Sequence, residues 1–119
     1  MKTSVLSEKS FAFAIRIVNL YNYLSESKNE KIMSKQLLRS GTAIGALISE
    51  GKYAESKLDF IHKYGIAQKE CSESAFWIKL LYKTNYLSEN EYNSLVSDNT
   101  ELMKLLTSSI VTVKRSLNK

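Results

Sequence analysis

The sequence predicts an all-α protein, one domain over residues 1–119 built from four helices and short connections. Three observations predict it. The chain has no proline and only four glycines in 119 residues, so little in it interrupts a helix. Apolar residues make up 44% and charged residues 24%, a balance that suits long amphipathic helices better than an all-β fold. Four stretches repeat apolar residues every three or four positions, and short polar segments without that period separate them. A chain of this length forms one core and buries about two-thirds of its unfolded surface.

The first helix is expected to begin near Ser4 or Ser7 and run to about Leu24. Phe11, Ala14, Ile15, Val18, Tyr21 and Leu24 form its expected core stripe. Phe13, Ile17 and Leu20 widen the apolar surface, which leaves Lys9, Arg16 and Asn19 as the polar side. Residues 25–33 are polar and read as a loop, with Ser34 expected to cap the second helix. That helix, to Gly51, is written in small residues. At ~100° per residue Leu37, Gly41, Ile44 and Ile48 share the core face, with Leu38 and Gly45 at its edge. Arg39, Ala43, Ala46 and Glu50 fall opposite, with two charges and almost no bulk between them. Each helical glycine costs roughly 1 kcal/mol against alanine, and close approach of a neighbouring helix is the usual reason to keep one.

Ser56 and Asp59 predict the start of a third helix over about residues 57–86, its core line running Phe60, Tyr64, Ala67, Cys71, Ala75, Ile78 and Tyr82. A second line on the far side holds His62, Ile66, Lys69, Glu73, Trp77 and Leu80. One core needs only one stripe, so Ile66, Trp77 and Leu80 predict an additional contact surface. Ser88 and Glu91 form a capping box before the last helix, whose line Tyr92, Leu95, Asn99, Leu102, Leu106, Ile110, Val113 and Leu117 reaches almost to the end. Asn99 interrupts that line, and Gln68, at the edge of the third helix's core face, is its expected partner.

The residue types argue against several chemistries. One histidine and one cysteine cannot make a His- or Cys-rich metal cluster, and Cys71 on an apolar line reads as a buried thiol. Glu70 and Glu73 lie one turn apart, but no Glu-x-x-His pair accompanies them, so they read as ion-pair partners for Arg39 and Lys69. The glycines around Ala46 and Lys52 have the wrong spacing for a phosphate loop. No nucleophile, base and orienter come together, so no enzyme and no cofactor are expected. No signal-peptide pattern and no long uncharged apolar run is present, so a cytoplasmic protein without membrane attachment is expected.

Net charge is +5, and residues 1–69 carry eleven Lys and Arg against six Asp and Glu, which places the excess in the first half. A basic half-molecule is compatible with RNA or DNA as a partner. The candidate phosphate contacts are Lys9, Arg16, Lys28, Lys31, Lys35, Lys52, Lys57 and Lys63. Arg39 is set apart as structural. The candidate oligomer interface is Arg39, Ala43, Ala46, Glu50, Ile66, Trp77 and Leu80. The competing reading is a scaffold that holds a partner protein, with the charge incidental.

The segments RSGTAIGALISEG and SKLDFIHKYGIAQKECSESAFWIKLLYKTNYL add a further signal. Arg39, Ile48-Ser49-Glu50-Gly51, Asp59-Phe60-Ile61-His62-Lys63, Lys69-Glu70-Cys71, Glu73, Trp77 and Tyr86-Leu87 carry it. With these residues the chain, over nearly its whole length, resembles the four helix bundle protein family. Those proteins are encoded by intervening sequences in bacterial 23S ribosomal RNA genes, and the diversity-generating-retroelement accessory protein is a relative. The resemblance implies an up-and-down antiparallel four-helix bundle that assembles into a basic, barrel-like homopentamer. The retroelement relative binds nucleic acid and a reverse transcriptase, activities that the resemblance does not carry over wholesale.

Overall fold

Of the two starts the sequence offers, Ser4 opens the first helix, its hydroxyl accepting the Ser7 amide at 3.0 Å. The computed structural model describes residues 4–118, so both ends of the predicted 1–119 domain lie outside the described residues. Within them the helices are α1 (Val5–Ser27), α2 (Met33–Gly51), α3 (Lys57–Lys83) and α4 (Glu89–Leu117). Three connections of about five residues reverse the chain each time, which makes an up-and-down antiparallel bundle with extents of 52 × 23 × 21 Å. α2 packs on both α1 and α3, α4 packs on α3 and more lightly on α1, and α1 and α3 are diagonal.

Both upper turns use an asparagine in the left-handed region, which asparagine tolerates better than most residues. Asn29 (φ 53°) lets the Glu30 amide donate back to the Leu24 carbonyl at 2.9 Å, and Asn85 (φ 71°) does the same for Tyr86 and Leu81 at 2.9 Å. These turns set the true boundaries. α1 runs one turn further than expected, and α3 ends at Lys83, before residue 86.

Ser34 is not the cap of α2. Glu30 reaches over the helix start, and its carboxylate accepts the amides of Ile32 (3.0 Å), Met33 (2.8 Å) and Ser34 (2.9 Å). The Ser34 hydroxyl donates to the Glu30 carbonyl at 2.8 Å. A carboxylate at a helix N-terminus satisfies orphan donors and the positive end of the dipole together. Burial works to raise the Glu30 carboxyl, but the combined hydrogen bonds hold it below the usual carboxylate range. At α3, Ser56 accepts the Asp59 amide at 3.0 Å, while the Asp59 carboxylate accepts from Glu55, one residue earlier than a true capping box. Ser88 and Glu91 make the full reciprocal box at α4.

The largest departure is the face that α1 turns inward. Leu6, Ser10, Phe13, Ile17 and Leu24 are buried, while Phe11 is 69% and Ile15 50% exposed and Val18 also faces outward. The glycines of α2 make the choice. A Cβ on Gly41 would stand 3.0 Å from Ile17, and one on Gly45 would stand 3.4 Å from the Ser10 carbonyl oxygen. Ile17 and the small Ser10 therefore close onto α2 where it has no side chains, and Phe11 and Ile15 rotate away.

On α3, Ser74 takes the core place expected for Ala75, which is exposed. Its hydroxyl donates to the Ser40 hydroxyl at 2.9 Å, a satisfied polar pair at a tight α2–α3 crossing. Leu37, Ile44, Ile48, Tyr64, Ala67, Cys71, Ile78, Leu95, Leu102, Leu106 and Ile110 fill the core as predicted. Asn99 is buried there, but it donates to the Cys71 carbonyl at 2.9 Å, and Gln68 instead donates to Thr107 at 3.0 Å.

Candidate assembly and nucleic-acid surfaces

Three surfaces can carry function. The first is the outward strip of α2 and α3 that contains the predicted oligomer interface. Arg39 grips Glu70 with two hydrogen bonds, 3.1 and 3.2 Å, and also binds Glu73. Glu73 accepts the Trp77 indole N–H at 3.1 Å. The bonds to Arg39, then the one from Trp77, pull the Glu73 carboxyl below the usual range, and the two glutamates raise the Arg39 guanidinium. A two-toothed arginine–carboxylate pair fixes orientation as well as charge. The acid that the sequence reading sought for Arg39 is thus supplied within the chain. Glu50 likewise binds Lys63 at 3.2 Å. Ala43, Ile66, Trp77 and Leu80 are half-buried and Ala46 is exposed.

The second surface was missed by the sequence reading because α1 was turned the wrong way. Phe11, Ala14 and Ile15 form one wall of a groove of about 680 Å³ whose other wall is Thr42, Gly45 and Ala46. The signal that could have found it is the length of the rival stripes. The line Leu6, Ser10, Phe13 and Ile17 continues to the start of the helix without a charge, whereas the Phe11 stripe meets Glu8 one turn before Phe11.

The third comprises the eight predicted phosphate contacts, which the fold does not bring together. Lys9 binds Glu101 at 3.1 Å and Arg16 binds Asp98 at 2.9 Å, so both tie α1 to α4, the most lightly packed seam of the bundle. Lys63 is held by Glu50. Lys28, Lys31 and Lys35 stand at the α1–α2 turn and make no ion pair within the described residues. Lys52 and Lys57 lie at the opposite end, about 25 Å away by the rise of α2. The α1–α2 turn is the denser site, and Glu30 within it pairs with the α2 amides and not with a lysine.

No group of three His, Cys, Asp or Glu side chains able to hold a metal occurs among the described residues, and none of their helices is long and apolar enough to cross a membrane. Burial, then the neighbouring Glu70, pushes the Cys71 thiol up to about 12, so it is an unreactive core group.

The fold defines an up-and-down four-helix bundle that carries three surfaces of different chemistry. The chain belongs to the 23S rRNA-intervening sequence protein family, which matches residues 2–108. A solved structure of a protein with unknown function from the S23 ribosomal protein family of Bacteroides thetaiotaomicron is 50% identical, with a TM-score of 0.88 over 89% of this chain and 98% of that one. No curated protein matches the chain. The matched family and the solved neighbour carry no enzymatic description.

Proposed function

We propose that this protein is a non-catalytic, self-assembling bundle that presents a repeated basic end to nucleic-acid phosphates, structured RNA foremost. The observation that carries this reading is the α1–α2 turn. Lys28, Lys31 and Lys35 stand there without acidic partners among the described residues, on a backbone held by Asn29 and by the Glu30 cap. A lysine is a point charge suited to phosphate, and none of these three is spent on an internal ion pair. Lys9, Arg16 and Lys63 leave the phosphate-binding set, since each already holds an acid of the chain. Assembly multiplies three weak contacts into avidity without base readout, so sequence preference is slight. The pentamer implied by the family resemblance would repeat the turn five times.

Binding of a structured RNA at several salt concentrations tests this. Replacing Lys28, Lys31 and Lys35 together by Gln should weaken binding and flatten the log–log salt slope by roughly one unit per phosphate contact removed. An unchanged slope in an intact oligomer would contradict the phosphate reading and favour a scaffold for a partner protein.

A further inference from the structure

The fold treats the seven tyrosines of the chain in different ways. Tyr64 is buried, and Tyr82 and Tyr92 stack on each other with ring centroids 4.2 Å apart. Tyr23 and Tyr53 are exposed, 45% and 85%, so the core uses little of either ring. Their surroundings differ in charge. Tyr53 shares an open groove with Glu50, Glu55 and Asp59, and the Lys63 of that groove already holds Glu50, so carboxylates there repel a phosphate. Tyr23 stands near the end of α1, just before the lysine-bearing turn. Of the two acids in residues 23–35, Glu30 is committed to the α2 amides, which leaves Glu26 against Lys28, Lys31 and Lys35.

Lys28 holds its ammonium over the Tyr23 ring. Its Nζ is 6.0 Å from the ring centroid, the outer limit of a cation–π contact. The backbone beneath the pair is fixed, because the amides of Lys28 and Glu30 both donate to the Leu24 carbonyl, at 3.2 and 2.9 Å. A ring and a cation on one ordered turn are therefore presented together, at little ordering cost to a ligand. Bases stack about 3.4 Å apart, so a small swing of the flexible lysine arm frees the ring face for one. The displaced ammonium stays within reach of that nucleotide's own phosphate.

We infer that the α1–α2 turn takes an unpaired nucleotide of the RNA, its base stacked on Tyr23 and the phosphates beside it held by Lys28, Lys31 and Lys35. The inference rests on the phosphate reading proposed above and narrows its ligand to a loop, bulge or single-stranded end. Paired bases already cover each other's faces, so a duplex has none to offer Tyr23. Stacking accepts every base, which agrees with a site whose polar groups are lysines and not base-reading forks.

Binding of two RNAs tests it: a hairpin with an unpaired loop, and a blunt duplex with the sequence of its stem. Tyr23→Ala should weaken hairpin binding roughly tenfold, with duplex binding and both salt slopes unchanged. Tyr23→Phe keeps the ring face and should bind the hairpin as wild type does. Circular dichroism of both variants should match wild type, since the ring lies outside the core. Equal wild-type affinity for hairpin and duplex, a Tyr23→Ala loss shared by both RNAs, no loss at all, or an equal loss in Tyr23→Phe would each overturn the stacked base. The lysine variants' flattened salt slope would then still uphold the phosphate contacts. Binding of neither RNA, or binding indifferent to salt, would overturn the phosphate reading and the stacked base with it.

Discussion

Gly41 and Gly65 both lie well inside long helices and both weaken them, yet their surroundings are opposite. Gly41 is buried, and a Cβ there would press on Ile17 at 3.0 Å; Gly65 looks into open space. The same contrast separates the two helices. α2 turns Ser40, Gly41, Gly45 and Gly51 toward its neighbours, letting Ile17 and Ser10 of α1 and Ser74 and Tyr64 of α3 come close. α3 has a small residue that nothing in the protomer uses. A glycine whose space is filled by its own chain cannot take a side chain without cost, and one in open space can, so the same residue is a packing constraint in α2 and only a weakness of the helix in α3.

The largest effect should come from filling the internal gap. Gly41→Leu drives a side chain into Ile17 at a fully packed crossing and should destabilise the protomer by about 3 kcal/mol, read from urea unfolding. Near-wild-type stability would mean that α1 and α2 are not closely packed there. Gly51→Ala comes next. Its Cβ would stand 2.7 Å from the Tyr64 ring, so the ring must shift, and a loss of about 1–2 kcal/mol is expected despite alanine's better helix propensity.

Glu30→Gln probes the other end of α2. It keeps one acceptor but removes the charge from the helix start, for a loss of about 1 kcal/mol at pH 7. The folded-state pKa of Glu30 is lowered, so its contribution is fully present above the usual carboxylate range, about 4.3, and is lost as pH falls through the folded value. The stability gap between wild type and Glu30→Gln should therefore be constant from pH 7 to 5 and close in stronger acid. A gap that persists there would show that geometry, and not charge, holds the cap. Gly65→Ala should have the smallest effect and the opposite sign, stabilising the protomer by about 0.5–1 kcal/mol, because the helix gains and nothing clashes.

Much of this fold is legible in the sequence because it depends on period and capping. The α2 core face, the α4 line and the Ser88–Glu91 box follow from local spacing. The inward face of α1 does not. Two apolar stripes compete on that helix, and only the position of Gly41 and Gly45 across the crossing decides between them. The α2 cap was hidden for a related reason: Glu30 acts from beyond a left-handed Asn29, and local patterns favour the nearer Ser34. Of the candidate surfaces, the α2–α3 ion network was readable from the one-turn spacing of Glu70 and Glu73. The ion pairs of Lys9 and Arg16 were not, because their acids lie on α4, far along the chain.

The account depends most on self-assembly that repeats the Lys28, Lys31 and Lys35 turn. Sedimentation equilibrium of the wild-type chain at micromolar concentration, with and without a structured RNA, measures that directly. The prediction is a mass several times the 13.5 kDa of the single chain that rises further when the RNA is added at low salt. A mass of 13.5 kDa that the RNA leaves unchanged would contradict it.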